Sequence, residues 1–312
     1  MTKPRLFAAG AAHMDRRGRV HAAYVAGASN PGTMREEIGG GAFNAMRNAV
    51  RHGVAGSLMS LRGGDVAGEA VARAIAAAGI EDRSATFLDR TTPSYTALLD
   101  EHGELIAGFA DMGLYETGFA RQMRRRAIRD AVAAADAVLC DANLPADAVA
   151  RLARLAGDAP LYAIAISPAK VARLEPSLEH IACLFMNLRE ARRLTGDAAM
   201  TATEAARALR SRGLASGIIT DGGRALTGFD ARGIFTLSPP HAARIADVTG
   251  AGDAIAGVTV AGLMDGMELR EAVRRGIAAA RLTVESETVV AAYDDETFSA
   301  TLALVAQARP VA

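Results

Sequence analysis

From about residue 130 onward, short apolar runs alternate with helix-patterned segments, and this alternation restricts the fold more than any other feature of the chain. Residues 137–144 (AVLCDANL) read as a strand and its exit loop, and 161–167 (LYAIAIS), 183–187 (CLFMN) and 216–220 (SGIIT) read as three more strands. Between them lie Ala/Arg/Leu segments of helical spacing, such as 146–157 and 203–213, with Gly157 and Gly213 where helix C-caps are expected. Strand–helix alternation predicts a doubly wound α/β fold: a mainly parallel sheet with helices on both faces.

The first 110 residues read differently. Residues 16–27 and 94–109 look like strand and hairpin material, with His102-Gly103 as a turn between two runs of alternating polarity. Residues 65–79 form a clear helix between them, with Asp65 as its N-cap and Gly79 as its stop. These segments predict a small β-sheet built from about 13–38 and 92–110. With no internal repeat and no long linker, the 312 residues are expected to form one α/β domain spanning 1–312 with this sheet appended.

Charge and composition narrow the function. Lys+Arg and Asp+Glu both number 35, so no global field favours nucleic acid or an anionic membrane, and a phosphate-bearing ligand needs a local site. Arg121, Arg124, Arg125, Arg126 and Arg129 form a basic run on a predicted helix, read as a solvated face. No apolar run reaches the roughly 18 residues of a membrane span, and the N-terminus lacks the pattern of a signal peptide, so a cytoplasmic location is expected. Cys140 and Cys183 sit in apolar runs as small buried hydrophobes, and the six histidines show no metal-ligand spacing.

The sharpest chemical signal is DVTGAGDAIAGVTVAGLMDG, residues 247–266. Gly250 and Gly252 flank Ala251, Asp253 follows at once, and a small-residue apolar helix runs on to Asp265-Gly266. Backbone N–H groups at such a helix start, together with the helix dipole, make an anion site. An acid in that first turn would repel a bound phosphate. It makes sense as a base that takes a proton from an attacking hydroxyl while the N–H groups stabilise the transferred charge. The tetrapeptide alone is read equally well as a helix N-cap with a flexible entry. A second motif lies upstream: Gly39, Gly40 and Gly41 precede Asn44 in the first turn of a helix that closes at Gly53. Three glycines permit close approach of a polyhydroxylated ligand, and an amide can donate to and accept from its hydroxyls. By itself this segment also fits a turn plus a cap.

Together the two motifs resemble the signatures of the ribokinase-like (PfkB) family of sugar and nucleoside kinases. GGGAFN is similar to the N-terminal signature and DVTGAGDA to the C-terminal one, departing at Val248, where Thr is common. The resemblance extends over nearly the whole chain: GAAHMD (10–15), GGDVAG (63–68), NLREARRLTG (187–196), TDGGRAL (220–226) and the tail 277–289 follow in the family's order. It implies ATP as phosphate donor and a sugar or nucleoside as acceptor. It implies Asp253 as base beside an anion hole at Gly250, Ala251 and Gly252, with Asp15, Gly39, Gly40, Gly41 and Asn44 holding the acceptor. Asn187 and Glu190 would order Mg²⁺ through water. Thr220, Gly222, Gly223, Thr249 and Ala279 would border the nucleotide. A monovalent cation, K⁺, is implied near Asp247 and Thr249. The small β-sheet would be a lid over the acceptor and a homodimer surface.

FADMGLYE (109–116), LCDANLP (139–145), SPAKVARL (167–174) and LTVESE (282–287) resemble features of the pseudouridine kinases within that family. An extra ring N–H on the uracil asks for polar partners, with Met112 and the 13–27 hairpin as the expected lining. A ribokinase- or fructokinase-type sugar kinase and an adenosine-type nucleoside kinase share Asp15, Gly40, Asn44 and Asp253 and stay open. So does a catalytically silent sugar or nucleoside sensor, although the anion hole and base are both present. There is no GxxxxGK[ST] loop and no dinucleotide fingerprint after the first strand.

Overall fold

The computed structural model describes residues 2–311. Among these residues, ten strands make the main sheet. From edge to edge they are Arg309–Val311, Gly233–Leu237, Leu226–Asp230, Gly217–Thr220, Ile181–Asn187, Leu161–Ile164, Ala137–Asp141, Arg5–Ala9, Ala55–Met59 and Glu81–Asp82. Neighbours from Glu81–Asp82 through Gly217–Thr220 pair in parallel, and the three strands beyond pair antiparallel. The expected doubly wound, mainly parallel α/β sheet is present, and the four strands read from the apolar runs fall where the runs lie.

Both faces of the sheet are covered because successive side chains point to opposite sides. Phe7 and Ala9 pack in one core with Tyr115, Phe119, Leu152 and Leu194, whereas Leu6 and Ala8 pack in the other with Phe43, Met46, Val71 and Ile277. Cys140 and Cys183 are buried and free, one in each core, as expected of small hydrophobes. No helix among the described residues is long and apolar enough to cross a membrane. The basic run does not lie on one helix. Met123 is fully buried and ends the helix Gly113–Gln122, and a new helix starts at Arg126, so the five arginines divide between two short helices and the turn between them.

A second sheet of four strands, in the order Gly32–Gly39, His13–Val20, Ser94–Leu99 and Leu105–Asp111, leaves the main body after the first strand. The 94–109 hairpin turns at 102–103 as read, with Gly103 at φ 89. The first hairpin is longer than the sequence suggested. Its strand starts at His13, and the exposed stretch after Val20 is a loop that re-enters at Gly32. Asp65 caps its helix by accepting from Gly68 N–H at 2.8 Å. It also takes the Thr92 N–H at 2.9 Å, pinning the start of the Ser94 strand.

Two helices define one end of the molecule. Gly41–Arg51 and Ala251–Met264 cross closely because Gly257 has no side chain: a Cβ there would lie 2.1 Å from the Ala45 carbonyl oxygen and 2.8 Å from Asn48 Cβ. Backbone of one helix is thus pressed against backbone of the other, and their N-terminal turns share a floor. Gly257→Val is expected to force the helices apart and to cost about 1–3 kcal/mol of stability. Urea denaturation measures this, and a variant as stable as the parent would show the crossing to be tolerant.

Candidate active site

In a sheet of this kind the carboxyl ends of the parallel strands open on one edge, and ligands bind in the crevice there. A cleft of about 640 Å³ lies at that edge. Its walls include His13, Asp15, Gly40, Gly41 and Asn44 from one side, and Asn143, Ser167, Lys170, Asn187 and Glu190 from the loops and helix starts that follow the central strands. Gly252 and Asp253 lie at its floor, Tyr95 and Ala110 close it from the second sheet, and Met112 closes it from the start of the helix that follows. A second cavity of about 410 Å³ is lined by Thr220, Gly222, Gly223, Arg224, Ala251, Ile277, Ala280, Arg281 and Val284, and by the loop residues Pro239, Pro240, His241, Ile245 and Val248. The two cavities share Thr220, Gly252 and Ile255, so the first turn of the helix Ala251–Met264 forms the partition between them.

That turn is built for close approach. Gly250 is the N-cap at φ 81, and a Cβ there would stand 2.2 Å from the Val289 carbonyl oxygen. Its backbone needs glycine both for the left-handed conformation and for the space. Among the described residues, the Gly252 and Asp253 N–H groups have no acceptor in the chain, and the Ala251 N–H reaches only Val248 O at 3.4 Å. Unpaired amides at a helix start, with the positive end of the dipole behind them, are an anion site.

Asp253 is half-buried and lines the first cavity. Asn44 Nδ2 donates to its Oδ2 at 3.0 Å, while Asn44 Oδ1 is buried and has no partner. Burial lifts the Asp253 carboxyl to about 7. The Asn44 amide pulls the other way, and the carboxylates of Asp141, Asp15 and Glu190 add to the rise. Asp15 lies against Gly39, where a Cβ would stand 2.1 Å from Oδ2, and its Oδ1 is 3.0 Å from His13 Nε2. His13 Nδ1 is buried and unpartnered in the wall of the cleft.

Asn187 and Glu190 form a capping box. Asn187 Oδ1 accepts from Glu190 N–H at 3.0 Å and Glu190 Oε2 from Asn187 N–H at 2.7 Å. Burial raises the Glu190 carboxyl above its ordinary value, opposed by those bonds and by Arg189. Both side chains present hard oxygen donors to the first cavity, which suits Mg²⁺ held through water.

Four positions do not sit where the sequence placed them. Ala279 is fully buried in the core and does not line the second cavity. Ile277, Ala280, Arg281 and Val284 line it instead, spaced as one helix face, and residue 279 points the other way. Gly39 backs Asp15 and lines neither cavity. Asp247 is not free for a cation. Its Oδ1 accepts from Thr249 N–H at 2.8 Å, and its Oδ2 is paired with the Arg17 guanidinium of the second sheet. Burial alone would raise this carboxyl, but those two partners hold it below its ordinary value. Thr249 itself lines the first cavity rather than the second. Among the described residues no group of three His, Cys, Asp or Glu side chains gathers as a metal site.

Sequence reasoning missed two features. Asp141, fully buried at the end of its strand, accepts from Ala11 N–H and Ala42 N–H at 2.9 Å each through Oδ2, and from Asn143 N–H at 2.9 Å through Oδ1. It ties the first strand's exit to the glycine-started helix. The loop 239–248 walls the second cavity, and its exposed apolar residues Ile245 and Val248 were the available signal.

Two chambers meeting at an anion-binding helix start, with a carboxylate on one side, define a small-molecule phosphotransferase. The comparisons with known proteins agree. The model of the pfkB family carbohydrate kinases matches residues 3–295, and the chain belongs to that family. It is 45% identical to a carbohydrate kinase from Agrobacterium tumefaciens of known structure, with a TM-score of 0.86 over 98% of this chain and 99% of that one. It is 27% identical to the pseudouridine kinase of Escherichia coli over 85% of each chain. The Arabidopsis thaliana ribokinase complexed with ribose and ATP shares the fold, with a TM-score of 0.84 at 20% identity over 96% of this chain and 99% of that one. The chain is an ATP-dependent carbohydrate kinase.

Proposed function

We propose that the chain transfers the γ-phosphoryl group of ATP to a hydroxyl of pseudouridine, giving pseudouridine 5′-phosphate. The observation that carries the phosphotransfer reading is the partition at Gly252: the acceptor chamber, with Asp253, and the nucleotide chamber meet at Thr220, Gly252 and Ile255, beside the free amides of that helix turn. Asp253 takes the proton of the acceptor hydroxyl, helped by a carboxyl near neutrality. Asn44 holds one Asp253 oxygen and offers its own unpaired Oδ1 to a second hydroxyl. Asp15 accepts from the sugar. The Gly250–Gly252 turn stabilises charge on the phosphoryl group in flight. Mg²⁺ held through water at Asn187 and Glu190 would neutralise phosphate oxygens. Thr220, Gly222 and Gly223 border the nucleotide.

The nucleoside acceptor is supported by the 27% identical relative and by the lining of the first cavity. Beyond the sugar-binding set the cleft carries a second polar set, in which Lys170 Nζ donates to Asn143 Oδ1 at 2.5 Å beside Ser167. His13 adds an unpartnered ring nitrogen. These groups can pair with a base that has a ring N–H and carbonyls. The second sheet acts as the lid. Its outer face exposes Met34 and Phe109, at 57% and 71% of their surface, and we assign it to a homodimer contact. Sedimentation as a monomer at micromolar concentration would remove that assignment.

ADP release with Mg-ATP, measured against pseudouridine, uridine, adenosine, ribose and fructose, tests the acceptor. Pseudouridine is expected to give the highest kcat/KM, and a preference for ribose or fructose would overturn the nucleoside reading while leaving the kinase intact. Asp253→Asn is expected to lower kcat by about 10²–10⁴-fold without loss of thermal stability, because the amide keeps the Asn44 contact and removes a buried charge. Near-normal turnover would remove Asp253 from the role of base.

A further inference from the structure

The family resemblance implies a monovalent cation at Asp247 and Thr249, and the residues present do not fit one. Both carboxylate oxygens of Asp247 are already used, Oδ1 by the Thr249 N–H and Oδ2 by the guanidinium of Arg17. Arg17 comes from the lid. In the strand His13–Val20, alternate residues point to one face, and His13, Asp15 and Arg17 share the face that looks into the cleft. The adjoining strand makes a second contact to the same corner, where Val289 N–H donates to Glu37 Oε1 at 3.4 Å. Val289 is the residue whose carbonyl packs on Gly250. The lid therefore holds, through Arg17 and Glu37, both segments that brace the anion-hole turn.

We propose that Arg17 is a positioning residue that supplies from the lid the positive charge otherwise provided by a bound monovalent cation, so that this kinase turns over without K⁺. The charge acts through Asp247 and Thr249, which precede Gly250 in the chain. It links closure over the acceptor to the geometry of the anion hole. A guanidinium suits this place because its fork is always charged and holds a carboxylate in fixed orientation. The inference rests on the phosphotransfer reading but not on the identity of the acceptor.

The test compares the full-length protein and Arg17→Ala at constant ionic strength in KCl, NaCl and tetramethylammonium chloride, the last cation being too large to sit at Asp247. Turnover of the best acceptor by the parent protein is expected to agree within about twofold across the three salts. Arg17→Ala is expected to lose roughly tenfold or more in kcat in tetramethylammonium, with little change in the KM for ATP. K⁺ or added guanidinium ion is expected to restore it, and Arg17→Lys to keep the parent's indifference to salt. Thermal unfolding needs no acceptor: K⁺ over tetramethylammonium is expected to raise the Tm of Arg17→Ala and not that of the parent. If no acceptor in the panel is turned over, the pseudouridine reading fails and the unfolding comparison alone decides the inference. Several-fold K⁺ activation of the parent, a K⁺-specific rise in its Tm, or a full kcat for Arg17→Ala in tetramethylammonium would each overturn it.

Discussion

The close crossing of the helices Gly41–Arg51 and Ala251–Met264 at Gly257 is the constraint on which the rest of the site depends. It brings two motifs about 200 residues apart into one floor, and it sets Asn44 at 3.0 Å from Asp253. Asp141 then fixes where the first of those helices begins by taking the Ala42 N–H and the Ala11 N–H on one oxygen. A buried carboxylate with three backbone donors is a costly arrangement to leave unpaired, so it orients the strand exit, the helix start and Asn143 together. Asp253, Asn44 and the glycines that line the first cavity are thus positioned by main-chain packing more than by flexible side chains. Chemistry that depends on orientation needs that rigidity.

Electrostatics follow from the same packing. Asp253, Asp15, Asp141 and Glu190 are four acids near one cleft, and burial with mutual repulsion lifts Asp253 to about 7. A carboxyl in that range matches a base working near neutrality. The free amides of the helix start lie on the far side of the same turn, so negative charge is unfavourable on one face of the partition and favoured on the other. Among the described residues, the only ion pair between the second sheet's inner face and the loop that leads into Gly250 is that of Arg17 with Asp247.

Much of this was legible in the sequence because the signals were local. The central strands are continuous apolar runs, as strands covered on both faces must be, and glycines mark the ends of the helices between them. Gly250-Ala251-Gly252-Asp253 announced a helix start, and the structure shows one, whereas the capping box that Asn187 and Glu190 form was not read from the sequence. What the sequence concealed depends on which segments meet in space. Asp141 looked like the end of a strand, and only the fold brings it the amides of Ala11 and Ala42. Asp247 looked free until Arg17, 230 residues away, reached it from the second sheet. Ala279 could have been corrected by counting helical phase, since residues 277, 280, 281 and 284 share one face and 279 does not. The split of the basic run at the buried Met123 needed the core to reveal it.

We assign a neutral-range carboxylate, Asp253, as the base at the partition between the two chambers. The pH dependence of kcat/KM for the acceptor at saturating Mg-ATP tests it most directly. Because the base works only when deprotonated and its folded-state value lies at about 7, kcat/KM should be low in acid, rise with pH through that value and level off above it. A profile that is flat from weakly acidic to weakly alkaline pH, or one that falls as pH rises through neutrality, would contradict the account.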